Sequence, residues 1–139
     1  MTWFINETPF TEEDIGTYVG FIYLITNKDT GKKYIGQKVF WNKVAKKPLK
    51  GKVNRRLSKK PSDWLTYHGS NDILKEEVST RGPDQYHRQI LRLCKTKSEM
   101  NYYEAKTIFE HDALLRDDYY NAWISTRINQ SQLGHLKIA

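Results

Sequence analysis

The sequence predicts a small α/β (α+β) domain, with a three-stranded, mainly antiparallel sheet flanked by helices. Three observations carry that expectation. "VGFIYLIT" and "KKYIGQKVFW" are apolar or β-branched runs around the turn-forming "NKDTGK", which reads as a hairpin. "QYHRQILRLC" alternates apolar and polar residues as a third strand does. "NDILKEEVSTRG" and "EMNYYEAKTIFEHD" carry helical spacing. The order strand, strand, loop, helix, strand, helix places the helices on the faces of the sheet.

Residues 1–18 read as a lead-in with one helical turn, Thr11 as its N-cap and Asp14 three positions on. Val19–Thr26 is apolar on both faces, as an interior strand is. Gly31 frees the following turn to adopt positive φ, and Gly36 leaves the second strand without a side chain at one point. Residues 42–61 are polar, basic and broken by Pro48, Gly51 and Pro61, which predicts a long loop or arm inserted into the domain. Ser70, Asn71 or Asp72 caps a helix near 72–80, ended by Gly82 and Pro83. The third strand follows over about 85–94. A second helix, with Ser98 as its N-cap, runs to about Glu110 and continues or restarts through Leu115. "DDYYNAW" is a short extended segment that packs aromatics. Residues 19–124 thus form the domain, and 125–139 a mainly irregular tail in which "RINQSQLGHL" has helical character.

A chain of 139 residues with 38% hydrophobic content, four Trp, nine Tyr and five Phe has enough apolar surface for one core. A single cysteine, Cys94, excludes a disulfide framework within the chain. The first residues lack the charged and apolar regions of a signal peptide, and no apolar run approaches the roughly 18 residues of a spanning helix. A soluble, cytoplasmic protein is expected, monomeric or homodimeric, with no membrane partner. The net charge is +7, and 12 of the 23 Lys and Arg lie between Lys32 and Lys60, where there is no Asp or Glu. A segment so one-sided attracts polyanions, and nucleic acid is the commonest of them. Lys38, Lys43, Lys46, Lys47, Lys50, Lys52, Arg55 and Arg56 are the candidate DNA contacts. The competing reading is a solvated loop.

Tyr23 and Tyr34 lie on either side of the first turn. A two-residue loop pairs them directly, and a four-residue loop pairs Tyr23 with Gly36. Either way both rings share a face unless a bulge intervenes. Two tyrosines in a hairpin ordinarily pack. Glu104 falls on the same helical stripe as Met100 and Ile108. A carboxylate there needs a cation, and either a Lys or Arg partner or a divalent metal supplies one. His68, in "TYHGSND", reads on its own as an exposed loop side chain, and Asn121 as a turn residue bonding backbone.

Together these residues resemble one family. "GFIY", then "YIG" with its tyrosine eleven positions after the first, resembles the paired signature of the GIY-YIG endonucleases. "WLTYHGSNDIL", "QILRLC", "YYEAKTIFE" and "YYN" follow in the order of phage-type members, so that the likeness spans Val19 to Trp123. The resemblance implies a DNA endonuclease that hydrolyses phosphodiester bonds with one Mg²⁺ or Mn²⁺ ion. It implies Tyr23 as general base or water-orienting group, Tyr34 as a holder of water or phosphate, Glu104 as metal ligand and Asn121 as support for the site. His68 would stand for a histidine or tyrosine found near the phosphate. The family's arginine after YIG has no match at the usual place, where Val44 stands. Arg55, Arg56, Lys38 and Lys43 remain candidates for that cation. Some members carry a lysine directly after YIG, and here Gln37 takes that place. The alternative is a catalytically weak or inactive nucleic-acid-binding module that keeps the fold and the basic arm.

Overall fold

The computed structural model describes residues 2–46, 56–124 and 127–138, with backbone alone at 45, 46 and 56–58. Its centre is the predicted hairpin. β3 (Gly20–Asn27) pairs antiparallel with β4 (Lys33–Val39), and β7 (Tyr86–Cys94) pairs antiparallel with the other edge of β3. The register joins Tyr23 to Gly36 and Thr26 to Lys33, so the turn has the longer, four-residue loop. Asn27 shapes it: its side-chain Oδ1 accepts from the Asp29 N–H at 3.0 Å, an Asx turn. A bulge does occur, but between β3 and β7 at Ile22/Tyr23, so the parity of the β3–β4 pair survives.

The sheet is larger than the sequence predicts. β1 (Trp3–Ile5) and β2 (Thr8–Phe10) form a hairpin within the expected lead-in, and β1 pairs parallel with β7. The result is a five-stranded mixed sheet in the order β2-β1-β7-β3-β4, not a three-stranded one. Strands of three residues are too short to show alternation. Their turn takes positive φ at Asn6 (48°) and Glu7 (67°), as a two-residue hairpin turn requires. Glutamate does not signal such a turn. The capped turn at Glu12–Asp14 forms as expected, with Thr11 and Asp14 bonding reciprocally.

The basic insertion also differs. β5 (Trp41–Lys46) and β6 (Arg56–Pro61) pair as a separate antiparallel ribbon where the sequence predicts a loop. Repeated lysines hide the alternation of the strands from a hydrophobicity reading.

Two helices cover the sheet on opposite faces. α1 (Asp72–Arg81), capped by Asn71, lies with the 62–70 loop over Phe21, Tyr23, Ile25 and Ile90, joined by Trp3, Phe40 and Trp64. α2 (Lys97–Glu110) lies on the other face over Ile22, Ile35 and Cys94. Its N-cap is Thr96 rather than Ser98, because the Thr96 side chain accepts from Glu99 N–H at 3.0 Å. Cys94 is fully buried and its thiol is pushed up to about 12, which leaves it inert. In the tail, Gln130–Leu136 is a 3-10 segment. Among the described residues no helix is long and apolar enough to cross a membrane.

Candidate functional site

β4 is an edge strand, and the site is built around that edge. Alternation sends Tyr34, Gly36 and Lys38 to the α1 face, and Ile35 and Gln37 to the α2 face. The free edge of β4 is met by the extended 118–121 segment. Lys33 N–H donates to Asp118 O at 2.9 Å, and Tyr120 N–H donates to Lys33 O at 2.7 Å. Asn121 completes the contact with its side chain: Oδ1 accepts from Ile35 N–H at 2.9 Å, and Nδ2 donates to Ile35 O at 2.8 Å. One asparagine side chain thus satisfies both backbone groups of Ile35, which an edge strand otherwise leaves exposed.

Below this edge lies a pocket of about 230 Å³, lined by Tyr34, Ser70, Asn71, Glu104, Asn121 and Trp123 among others. Tyr34 and Ser70 hydroxyls bond at 2.9 Å. Glu104 reaches the pocket from α2, four residues from Met100 and Ile108, which are buried on either side of it. No Lys or Arg among the described residues pairs with Glu104 directly. Gln37 Nε2 instead donates to Glu104 Oε1 at 3.2 Å and to Asn101 Oδ1 at 2.9 Å, while Lys97 Nζ donates to Gln37 Oε1 at 2.9 Å. Lys97 therefore fixes the orientation of the Gln37 amide, with its nitrogen toward the carboxylate. Burial raises the Glu104 carboxyl above the ordinary carboxylate range, against the bond from Gln37 and the charge of Lys97. Burial likewise raises the Tyr34 phenol, opposed by the Ser70 bond.

Tyr23 sits behind Tyr34, their ring centroids 6.2 Å apart. It is fully buried, and its hydroxyl has no hydrogen-bond partner among the described residues. Burial first, then Tyr67, Tyr34 and Glu104, holds its ionisation well above the usual phenol range. The phenol therefore stays protonated at neutral pH. Gly36 makes room for the ring: a Cβ there would stand 2.5 Å from Tyr23 Cζ and closer still to its hydroxyl. Gly36→Ala is therefore expected to displace Tyr23, lowering stability by about 1–3 kcal/mol. Thermal melting beside the near-UV tyrosine signal checks it, and an unchanged protein would remove the packing argument.

Lys38 lies 4.1 Å above the Tyr67 ring and 2.6 Å from Asp63 Oδ1. Tyr67 in turn meets Tyr23 edge-on at 6.0 Å. Arg88, itself buried, donates from Nη1 to Tyr67 O at 2.8 Å and stacks over Trp3, which anchors the loop bearing Tyr67 and Ser70.

Of the candidates, Tyr34, Glu104 and Asn121 share one pocket, with Tyr23 behind them. His68 does not line it. Its ring is buried toward Arg88, with Nδ1 bonded to Thr66 O at 2.8 Å, and burial lowers its pKa. Lys43 is exposed on the ribbon. Lys47, Lys50, Lys52 and Arg55 lie outside the described residues, as do the side chains of Lys46 and Arg56. Sequence reasoning missed Gln37, as a ligand of Glu104, and also Lys97, Ser70 and Tyr67. Gln37, directly after YIG, and Tyr67, an aromatic beside His68, carried a usable signal.

A metal ion fits this donor set in one way. No group of three or more His, Cys, Asp or Glu able to hold a metal occurs among the described residues. The pocket offers the Glu104 carboxylate, with hydroxyls nearby. Mg²⁺ keeps several waters and commonly binds through one or two carboxylates plus substrate phosphate, so one carboxylate suffices.

A family model described as "Putative endonuclease segE, GIY-YIG domain" matches residues 3–124. No curated protein and no solved structure matches the chain.

Proposed function

Since the chain belongs to the GIY-YIG endonuclease family across residues 3–124, we propose that it hydrolyses DNA phosphodiester bonds at the Tyr34–Glu104 pocket with one Mg²⁺ or Mn²⁺ ion. The observation that carries this reading is the meeting of Tyr34, Ser70, Glu104 and Asn121 in one pocket across the β4 edge. Glu104 would hold the ion, which supplies a Lewis acid at the leaving oxygen.

The chain's own groups supply the rest. Gln37, held by Lys97, presents a fixed donor to Glu104 Oε1. Tyr34 offers its hydroxyl to a water or a nonbridging oxygen. Asn121 keeps the edge of β4 in place and contributes through position. Tyr23 keeps its proton at neutral pH, so it serves as a hydrogen-bonding group that orients water rather than as the base. Phosphate arriving at Lys38 competes with Asp63 for the ammonium. Lys38, Lys43, Arg55 and Arg56 remain the cations available to the phosphate, and Lys46, Lys47, Lys50 and Lys52 extend the basic surface along the arm. His68 is placed outside the reacting group because its ring is buried in the loop. The reading includes a phage-type enzyme at work in a bacterial cytoplasm.

The test is conversion of supercoiled plasmid to nicked or linear forms. Cleavage is expected with Mg²⁺ or Mn²⁺ and none with EDTA. Retention of DNA without cleavage in either metal would leave the binding-module reading in its place.

A further inference from the structure

The β5–β6 ribbon carries a charge pattern that folding alone does not explain. Its register pairs Lys43 with Lys59 and Asn42 with Lys60. Lys43, Lys59 and Lys60 are all exposed. Lys43 and Lys59 are directly opposed, so their side chains project from one face of the ribbon, and Lys60 projects from the other. Like charges directly opposed across a strand pair destabilise it. No Asp or Glu occurs between Lys32 and Lys60, so no carboxylate within the segment relieves the repulsion. A two-stranded ribbon is marginal in water even without it. An external anion bound to the pair would relieve this repulsion.

The shape of the ribbon selects among anions. An element lying on a flat anionic surface needs cations on one face. Cations on both faces suit an element with phosphates on both sides. A two-stranded β-ribbon fits the major groove of B-DNA, about 12 Å wide, and exceeds the minor groove at about 6 Å. We propose that the β5–β6 ribbon is a duplex-binding element that enters the DNA major groove, with Lys43 and Lys59 directed at one phosphate wall and Lys60 at the other. This deepens the nuclease reading and rests on its DNA substrate. It gives the chain a DNA-anchoring element separate from the Tyr34–Glu104 pocket.

The test measures retention of a fluorescent duplex containing A·T tracts, with EDTA present so that the duplex stays intact. Methyl green, which occupies the major groove, should displace the protein, and distamycin, which occupies the minor groove, should not. The Lys43→Ala/Lys59→Ala variant should reduce the slope of log affinity against log salt by about 2, for two lost phosphate contacts. Lys43→Glu separates binding from folding. It creates an opposite-charge pair with Lys59, so melting temperature should hold or rise while duplex affinity falls. Displacement by distamycin alone, or wild-type affinity and salt slope in the variants, would overturn the ribbon proposal. Failure of the wild-type chain to retain duplex even at low salt would instead overturn the nuclease reading.

Discussion

Glu104→Gln is expected to abolish metal-dependent nicking while leaving the fold at least as stable as before. The amide keeps the shape of the side chain and can still accept from Gln37 Nε2. What it loses is the one carboxylate that lines the pocket among the described residues, and with it the anchor for a cation. The stability arm follows from the direction of its ionisation. Burial raises the folded-state value of Glu104 above the unfolded one. The folded chain therefore favours the protonated form, a contribution that is full below the ordinary carboxylate range. That contribution is lost as pH rises through the raised folded value. At neutral pH the ionised carboxylate counts against the fold, and glutamine relieves it. Had Glu104 been one half of a buried ion pair, removing its charge would have stranded a cation at a cost of about 3–5 kcal/mol. No such pair exists among the described residues, since Lys97 reaches Gln37 instead. Melting temperature and plasmid nicking on the same variant check both arms. A stable, active variant would remove Glu104 from the chemistry, and an unstable one would return it to a structural role.

Tyr23→Phe is expected to slow cleavage roughly 10²- to 10⁴-fold, the scale of a lost proton-handling or water-orienting group. The fold should survive or gain. The Tyr23 hydroxyl is buried without a partner, which costs about 1–3 kcal/mol that phenylalanine does not incur. The ring keeps its contacts with Tyr34, Tyr67 and Gly36. A hydroxyl kept at the expense of stability has its reason elsewhere, and the reacting phosphate is the nearest candidate. Single-turnover cleavage beside thermal melting makes the comparison. Parent-rate cleavage by the phenylalanine variant would show that the phenol only packs. A marked loss of stability would show that its hydroxyl has a partner when the protein is in solution.

The elements that were legible in the sequence are those whose signals are local. The β3–β4 hairpin follows from two apolar runs and a turn in which Asn27 and Gly31 supply the backbone geometry. β7 and α1 were bounded within a residue because alternation, an Asn71 cap and Gly82 are written in neighbouring positions. Tyr23, Tyr34, Glu104 and Asn121 could be selected because motif spacing survives without knowledge of distance. β1 and β2 could not, since a three-residue strand exists only by virtue of the strand it pairs with. Tertiary structure alone decided that Glu104 meets Gln37 rather than a cation and that Lys97 orients the Gln37 amide. It also set His68 in the loop away from the pocket. Enclosure in the core beside Tyr67 and Tyr34, which no count of charges along the chain reveals, makes the Tyr23 phenol less acidic. The physical reason is common to these cases. Strand parity and helix caps depend on a few adjacent residues, while hydrogen-bond partners and desolvation depend on which distant segments fold against one another.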